Sequence, residues 1–247
     1  RKIRNYVDIV KQDQQGYRIY VRNGIPLDTN RKWAYKECNV QPPTDSKGKV
    51  TADEPEKEEF KQLTRFMCDN FYDIRAFGAV MTLAYNCGQV RGPVQLGFAK
   101  SVDIISPQEI GITGCTYANE GEKSSKMGRK NIVPYALYRV DGFISPNLAL
   151  KETGGTGFSE EDLKLFWDAL INMFDFDHSA ARGKMATRAL FIFKHDSIYG
   201  NCSAYKLFES ISAKRKDGVV VPRSFHDYII EVNEEKIPQG VTLKRLV

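Results

Sequence analysis

The chain has 247 residues, of which 42% are hydrophobic and 27% charged, with a net charge of +5. That length is enough for a sizeable core in one large domain, and the composition excludes disorder as the default state. No run of about eighteen apolar residues and no signal-peptide layout occurs, so the sequence reads as a cytoplasmic protein that makes no use of a membrane.

Residues 1–11 suit a short helix, with Ile3, Val7 and Val10 on one side and Arg1, Arg4, Asp8 and Lys11 on the other. Arg1 falls inside this pattern, so a strand is expected upstream of the numbering. Residues 41–59 turn to Pro, Asp, Lys and Glu and read as a loop or insertion. Phe60, Leu63, Met67 and Phe71 then recur at helical spacing. From Val94 to Ile104 the apolar residues alternate, which predicts a strand with Val94, Leu96, Phe98, Val102 and Ile104 on a buried face. Residues 106–130 carry little apolar content and form a long exposed excursion between that strand and the apolar stretch Ile132 to Ile144.

A helix should start after Ser159, a serine cap with Asp162 three residues on. Leu163, Phe166, Trp167, Leu170, Ile171 and Phe174 form its apolar stripe. Thr187 to Phe193 and Asp227 to Val232 read as strands. This element order is that of an α+β, ferredoxin-like (RRM-like) palm without its first strand. It predicts a single domain over 1–247, with insertions at about 12–59, 106–130 and 195–226. The central sheet is expected to include Val94–Ile104, Ile132–Val140 and Thr187–Phe193, with the helix after Ser159 across one face.

Charge is unevenly placed. Residues 1–36 hold nine basic side chains (Arg1, Lys2, Arg4, Lys11, Arg18, Arg22, Arg31, Lys32, Lys36) against three acidic ones (Asp8, Asp13, Asp28). Such clustering is the footprint of a polyanion partner, or simply a solvated face. Five cysteines with no C-x-x-C pair give neither a disulfide framework nor a zinc knuckle.

Other combinations point to chemistry more weakly. Asp175-Phe176-Asp177-His178 has metal-ligand residue types, but neighbours at a helix end diverge. His195-Asp196-Ser197 has the letters of a hydrolase triad, yet a triad needs side chains presented from different elements. Thr153-Gly154-Gly155-Thr156-Gly157 precedes a helix start, where free amides favour anions, without the lysine of a P-loop. Arg75 to Val80 has part of the layout of an aromatic RNA-stacking motif, with alanine in place of its glycine. The residues therefore nominate no catalytic group, no metal ligand and no cofactor.

Asp73-Ile74-Arg75-Ala76-Phe77-Gly78 and Gly88-Gln89-Val90-Arg91-Gly92-Pro93-Val94-Gln95 resemble the paired D-x-R-x-F-G and G-x-V-R-G-P-V-Q segments of the type I-C CRISPR Cascade backbone subunits, in the RAMP superfamily. Arg1 to Asn5, Lys126-Met127-Gly128-Arg129-Lys130, Ser179 to Gly183 and Pro222 to Tyr228 are similar to further segments of that family, in the same order. The family's first strand and its asparagine-glycine-proline loop have no counterpart here.

The resemblance implies a hand-shaped, non-catalytic subunit that stacks head to tail along CRISPR RNA (crRNA). Its partners would be crRNA, neighbouring copies, other Cascade subunits and, through the guide, target DNA. Arg1, Lys2, Arg4, Arg91, Gly92, Gln95, Lys126, Arg129, Lys130 and Arg182 are the expected RNA-binding residues, and 106–130 the expected thumb. Two rival readings remain: an RNA-cutting enzyme with the same palm, and a single-strand binder outside CRISPR biology.

Overall fold

The computed structural model describes residues 1–115, 120–121 and 126–247. It is an α+β molecule in which short antiparallel strand pairs accompany helices. Among the described residues no helix is long and apolar enough to cross a membrane.

Helix α1 (Lys2–Lys11) buries Ile3, Tyr6 and Val7, while Val10, expected inside, is exposed. Helix α2 (Leu27–Glu37) lies within the expected first insertion and was not foreseen. Helix α3 (Lys57–Asn70) buries Leu63 and Met67 as expected, and the short α4 (Tyr72–Phe77) follows with five of its six residues buried. Strands β1 (Gly78–Met81) and β2 (Gly88–Arg91) form a hairpin.

The next six strands make one long two-stranded ribbon that leaves the body and returns to it. Strands β3 (Val94–Leu96), β4 (Lys100–Ser101) and β5 (Gln108–Thr113) run out, and β6 (Met127–Ile132), β7 (Tyr138–Arg139) and β8 (Gly142–Ile144) run back. They pair β3 with β8, β4 with β7 and β5 with β6. The one-turn helix α5 (Pro146–Ala149) then leads to the long helix α6 (Glu160–Asn172). The C-terminal part holds β9 (Phe191–His195), α7 (Ala204–Glu209), β10 (Ile211–Arg215), β11 (Tyr228–Val232) and β12 (Val241–Arg245), with β9 paired to β12 and β10 to β11.

The expected half-buried strand Val94–Ile104 is a correction. Val94 pairs with Ile144, but Lys100 pairs with Arg139 and Gln108 with Ile132, so the register slips by one residue between successive segments. Phe98 and Ile104 sit at these slips and are 95% and 103% exposed. An extra residue on one strand re-aims the side chains after it, so a period of two in the sequence no longer names one face. The expected sheet joining 94–104, 132–140 and 187–193 does not form either. The first two stretches pair within the ribbon, and the third is a strand only from Phe191, paired to β12.

Two apolar clusters hold the body together. In the first, Ile3, Tyr6 and Val7 of α1 meet Val94 and the α6 residues Leu165, Phe166 and Ala169, with Leu163, Trp167 and Leu170 packed against them. In the second, Ala34 and Tyr35 of α2 meet Leu63 and Met67 of α3, Ile74 of α4 and Met81 of β1. Helix α6 starts where its cap predicts: Ser159 Oγ accepts from the Asp162 amide while Asp162 Oδ2 accepts from the Ser159 amide.

Candidate nucleic-acid interface

The segment Asp73 to Gly78 ties the two clusters together. Asp73 is buried and its carboxylate accepts three hydrogen bonds, from Arg4 Nε at 2.8 Å, the Tyr20 amide at 2.8 Å and the Val21 amide at 3.1 Å. Arg75, also buried, donates from Nε and Nη2 to the two oxygens of Asp162 at 2.8 and 2.7 Å, and from Nη1 to the Cys68 carbonyl at 2.9 Å. This bidentate fork joins α4 to the cap of α6. Gly78 has φ +80°, and a Cβ on it would press into the Val90 carbonyl and the Gly92 amide; a Cβ on Gly92 would strike the backbone of Ala76 to Gly78. The two glycines thus let two chain segments touch at their main chains.

Just beyond that contact, the structure brings three of the expected residues together. Arg91, Pro93, Gln95, Phe143, Ser145, Asn147 and Leu148 line a cleft of about 430 Å³. Gln95 Nε2 donates to the Gly92 carbonyl at 3.1 Å, and Gln95 is the cross-strand partner of Phe143. Arg91 is exposed, and among the described residues no carboxylate pairs with it. A free guanidinium beside amide, hydroxyl and aromatic groups suits a phosphate and sugar strand.

The remaining expected residues lie elsewhere. Arg1 and Lys2 both reach Asp177, each at 3.1 Å, and Lys2 also lies 5.4 Å from the centre of the Phe174 ring, beyond the C-terminal end of α6. Hydrogen bonds from Arg1 and then Lys2 hold the Asp177 carboxyl below its usual range. Arg4 is committed to Asp73. Lys126, Arg129 and Lys130 are exposed on the returning limb of the ribbon, where Arg129 faces Glu109 at 3.3 Å. Arg182 is exposed in a turn closed by its amide on the Ser179 carbonyl.

Much of the basic N-terminal segment is internally compensated. Arg22 pairs with Asp8 and Asp13, Lys32 with Asp28, Arg18 stacks on Trp33 at 4.3 Å and Lys11 lies over Tyr17 at 4.2 Å. The amides of Gly154, Gly155, Thr156 and Gly157 donate to the carbonyls of Lys151, Leu150, Leu148 and Ala149, so this loop presents none of them to an anion. His195 Nδ1 accepts from the Asn201 amide and Ser197 Oγ from the Tyr199 amide, which makes this stretch a turn scaffold. Phe143, Ser145 and Asn147 were not foreseen in the sequence; they join the cleft through the β3–β8 register, which no local pattern announces.

The family model for CRISPR-associated protein Cas7 matches residues 1–233. No curated protein matches the chain. Among solved structures, a chain of a "CRISPR RNA-guided surveillance complex, pre-nicking" is similar at 14% identity and a TM-score of 0.45, over 78% of this chain and 66% of that one. The present chain thus spans slightly less than two thirds of that chain's length.

Proposed function

Because the chain belongs to the Cas7 family of CRISPR-associated proteins, we propose that it binds a CRISPR guide RNA without cutting it, as a repeated backbone subunit of a Cascade interference complex. The single observation that carries the RNA-binding reading is the cleft beside the Gly78–Gly92 contact, where Arg91 stands exposed among Gln95, Ser145 and Asn147. The subunit acts from the cytoplasm in a type I-C assembly, with other Cascade subunits as partners and target DNA reached through guide pairing. Successive copies stack head to tail along the strand, a heterologous contact that stays open and suits a long ligand.

In this reading the whole chain is one ferredoxin-like palm with insertions at about 12–59, 106–130 and 195–226. Helices α1 and α6, side by side over Val94 and Ile144, support that choice. The ribbon tip serves as thumb, and its Lys126, Arg129 and Lys130, with Arg1, Lys2 and Arg182, add phosphate contacts away from the cleft.

The test is direct. Protein purified from cells with a CRISPR array should carry RNA of uniform guide length, and purified protein should bind labelled guide RNA and leave it intact with or without divalent metal. Cleavage that disappears in His178→Ala or His195→Ala would replace the scaffold with a nuclease. Absence of any RNA affinity would overturn both.

A further inference from the structure

The two limbs of the ribbon part at one place. The Val102 amide donates to the Leu137 carbonyl, and the ladder resumes only where Gln108 lies opposite Ile132; between these points, among the described residues, no main-chain hydrogen bond joins the limbs. A two-stranded ribbon is marginal even with a continuous ladder, so this gap is a soft joint where a few residues can absorb a change of direction. The near half is fastened to the C-terminal part, because Arg139 of β7 donates to the Phe208 and Ile211 carbonyls at 2.8 and 2.7 Å. The far half, β5 with β6, adds no described residue to either apolar cluster.

One side chain spans the joint. Tyr228, buried at the start of β11, donates from its hydroxyl to Asp103 Oδ2 at 2.7 Å on the outgoing limb. Its ring stacks on Tyr135 of the returning limb, with centroids 6.5 Å apart and planes 26° from parallel. The segment Pro222 to Tyr228 builds the mount for this residue. Asp227 Oδ2 accepts from the Arg223 and Ser224 amides at 2.7 and 2.8 Å, and Arg188 lies over the Phe225 ring at 4.7 Å. Pairing of β11 with β10 places Tyr228 opposite Arg215 and anchors the mount in a strand pair.

We propose that Tyr228 is a positioning residue: by holding both limbs at the joint it fixes the direction of the ribbon tip, and so the length of RNA that each copy spans. The first half stands on the joint alone, and the second rests on the reading of the tip as a thumb. The hydroxyl supplies direction and the ring supplies cover, so losing the hydroxyl alone should free the tip while the stack keeps the fold.

The experiment measures the distance between spin labels at Cys115, exposed at the end of the outgoing limb, and at Lys164→Cys on α6, in a full chain carrying Cys38→Ser and Cys202→Ser. The background chain should give one narrow distribution, broadened by Tyr228→Phe and by Asp103→Ala. Asp103→Asn keeps an acceptor oxygen and should restore the narrow one. A role in stability alone would move the Tm of these variants and leave the width unchanged. On guide-length RNA, nuclease footprints of the wild type should recur at one interval, and those of Tyr228→Phe at irregular intervals. A broad distribution in the background chain, or a narrow one in both Tyr228→Phe and Asp103→Ala, would overturn the proposal, as would regular footprints in Tyr228→Phe. A wild type that binds no RNA would sink the scaffold reading and the RNA half with it, while the spin-label widths still decide the joint.

Discussion

Asp73 and Arg75 stand two residues apart on α4 and are engaged by different partners, Asp73 by Arg4 of α1 and Arg75 by Asp162 of α6. Their roles are those of buried ties, so their substitution should be read out as stability. Asp162→Asn leaves the Arg75 guanidinium buried without its anion, and removing one partner of such a pair costs about 3–5 kcal/mol. The urea midpoint of the variant should fall accordingly; an unchanged midpoint would mean that the fork contributes nothing. Arg91 is the opposite case. It is exposed, so Arg91→Ala should stay within about 0.5 kcal/mol of the parent stability. Its effect belongs to RNA: affinity should drop about equally for two unrelated guide-length strands, and the slope of log affinity against log salt should flatten by roughly 0.7. Lys57, in the acidic run from Asp53 to Glu59, is the control that should change little. Asp177 gives a pH-dependent readout. Its carboxyl lies below the usual range because Arg1 and Lys2 donate to it. A lowered folded-state value means that the tie contributes above the ordinary aspartate pKa of about 4 and fades as pH falls through the lowered one. The protection factor of the Asn5 amide, which donates to the Arg1 carbonyl, should therefore fall on acidification through that range once the intrinsic pH dependence of exchange is divided out, and Asp177→Asn should show the lowered protection at neutral pH; a wild-type protection factor that does not change with pH would remove the tie from the account.

Elements differ in how openly the sequence declares them, and the difference has physical causes. Helix α6 is legible because its cap and stripe are local: Ser159, Asp162, Phe166 and Leu170 all do what their spacing says. Helix α2 is not, because its inward face is Arg31, Ala34 and Tyr35, which offers no apolar stripe, while Leu27 is exposed. The ribbon is half legible. Residues 106–130 were expected to project, and they do so as β5 and β6 where described, but the slips that place Phe98 and Ile104 in solvent depend on pairing with a strand some forty residues away. The candidate interface divides the same way: Arg91, Gly92 and Gln95 stand within one short motif, whereas Phe143, Ser145 and Asn147 arrive by register. The independence of the ribbon tip is testable. Every residue of β5 is exposed, and neither apolar cluster includes a described residue from 107–133. Replacing 107–133 by a short Gly–Ser turn should leave the Tm within a few degrees of the parent and should reduce assembly on RNA, measured by thermal unfolding and by sizing. A collapse of the fold would show instead that the tip supports the body.

At the scale of the whole molecule, the apolar surface left uncovered is what a repeated subunit needs. Phe98 and Ile104 project from the base of the ribbon, and Val80 and Leu83 are 64% and 66% exposed on the β1–β2 hairpin. Single exposed apolar residues are ordinary, but large side chains wholly in solvent at bulges, where the backbone has been re-aimed, are available to the neighbour that the proposed stacking would bring. Burying Phe98 alone is worth on the order of 2–3 kcal/mol, enough to matter in a contact repeated along a strand. The proposed head-to-tail stacking supplies that cover only when RNA brings copies together, since the tethered neighbour is then present at high effective concentration. The expected behaviour is a monomer without RNA and a mass that grows stepwise with RNA length, measured by light scattering after sizing. Phe98→Ser with Ile104→Ser should abolish the growth while leaving the affinity of one subunit for a short strand unchanged, because neither residue lines the cleft with Arg91. Arg91→Ala should do the reverse, weakening the short-strand affinity itself. A single bound copy at every RNA length in the wild type would remove the stacking, and a double variant that assembles as the wild type does would assign the contact to another surface.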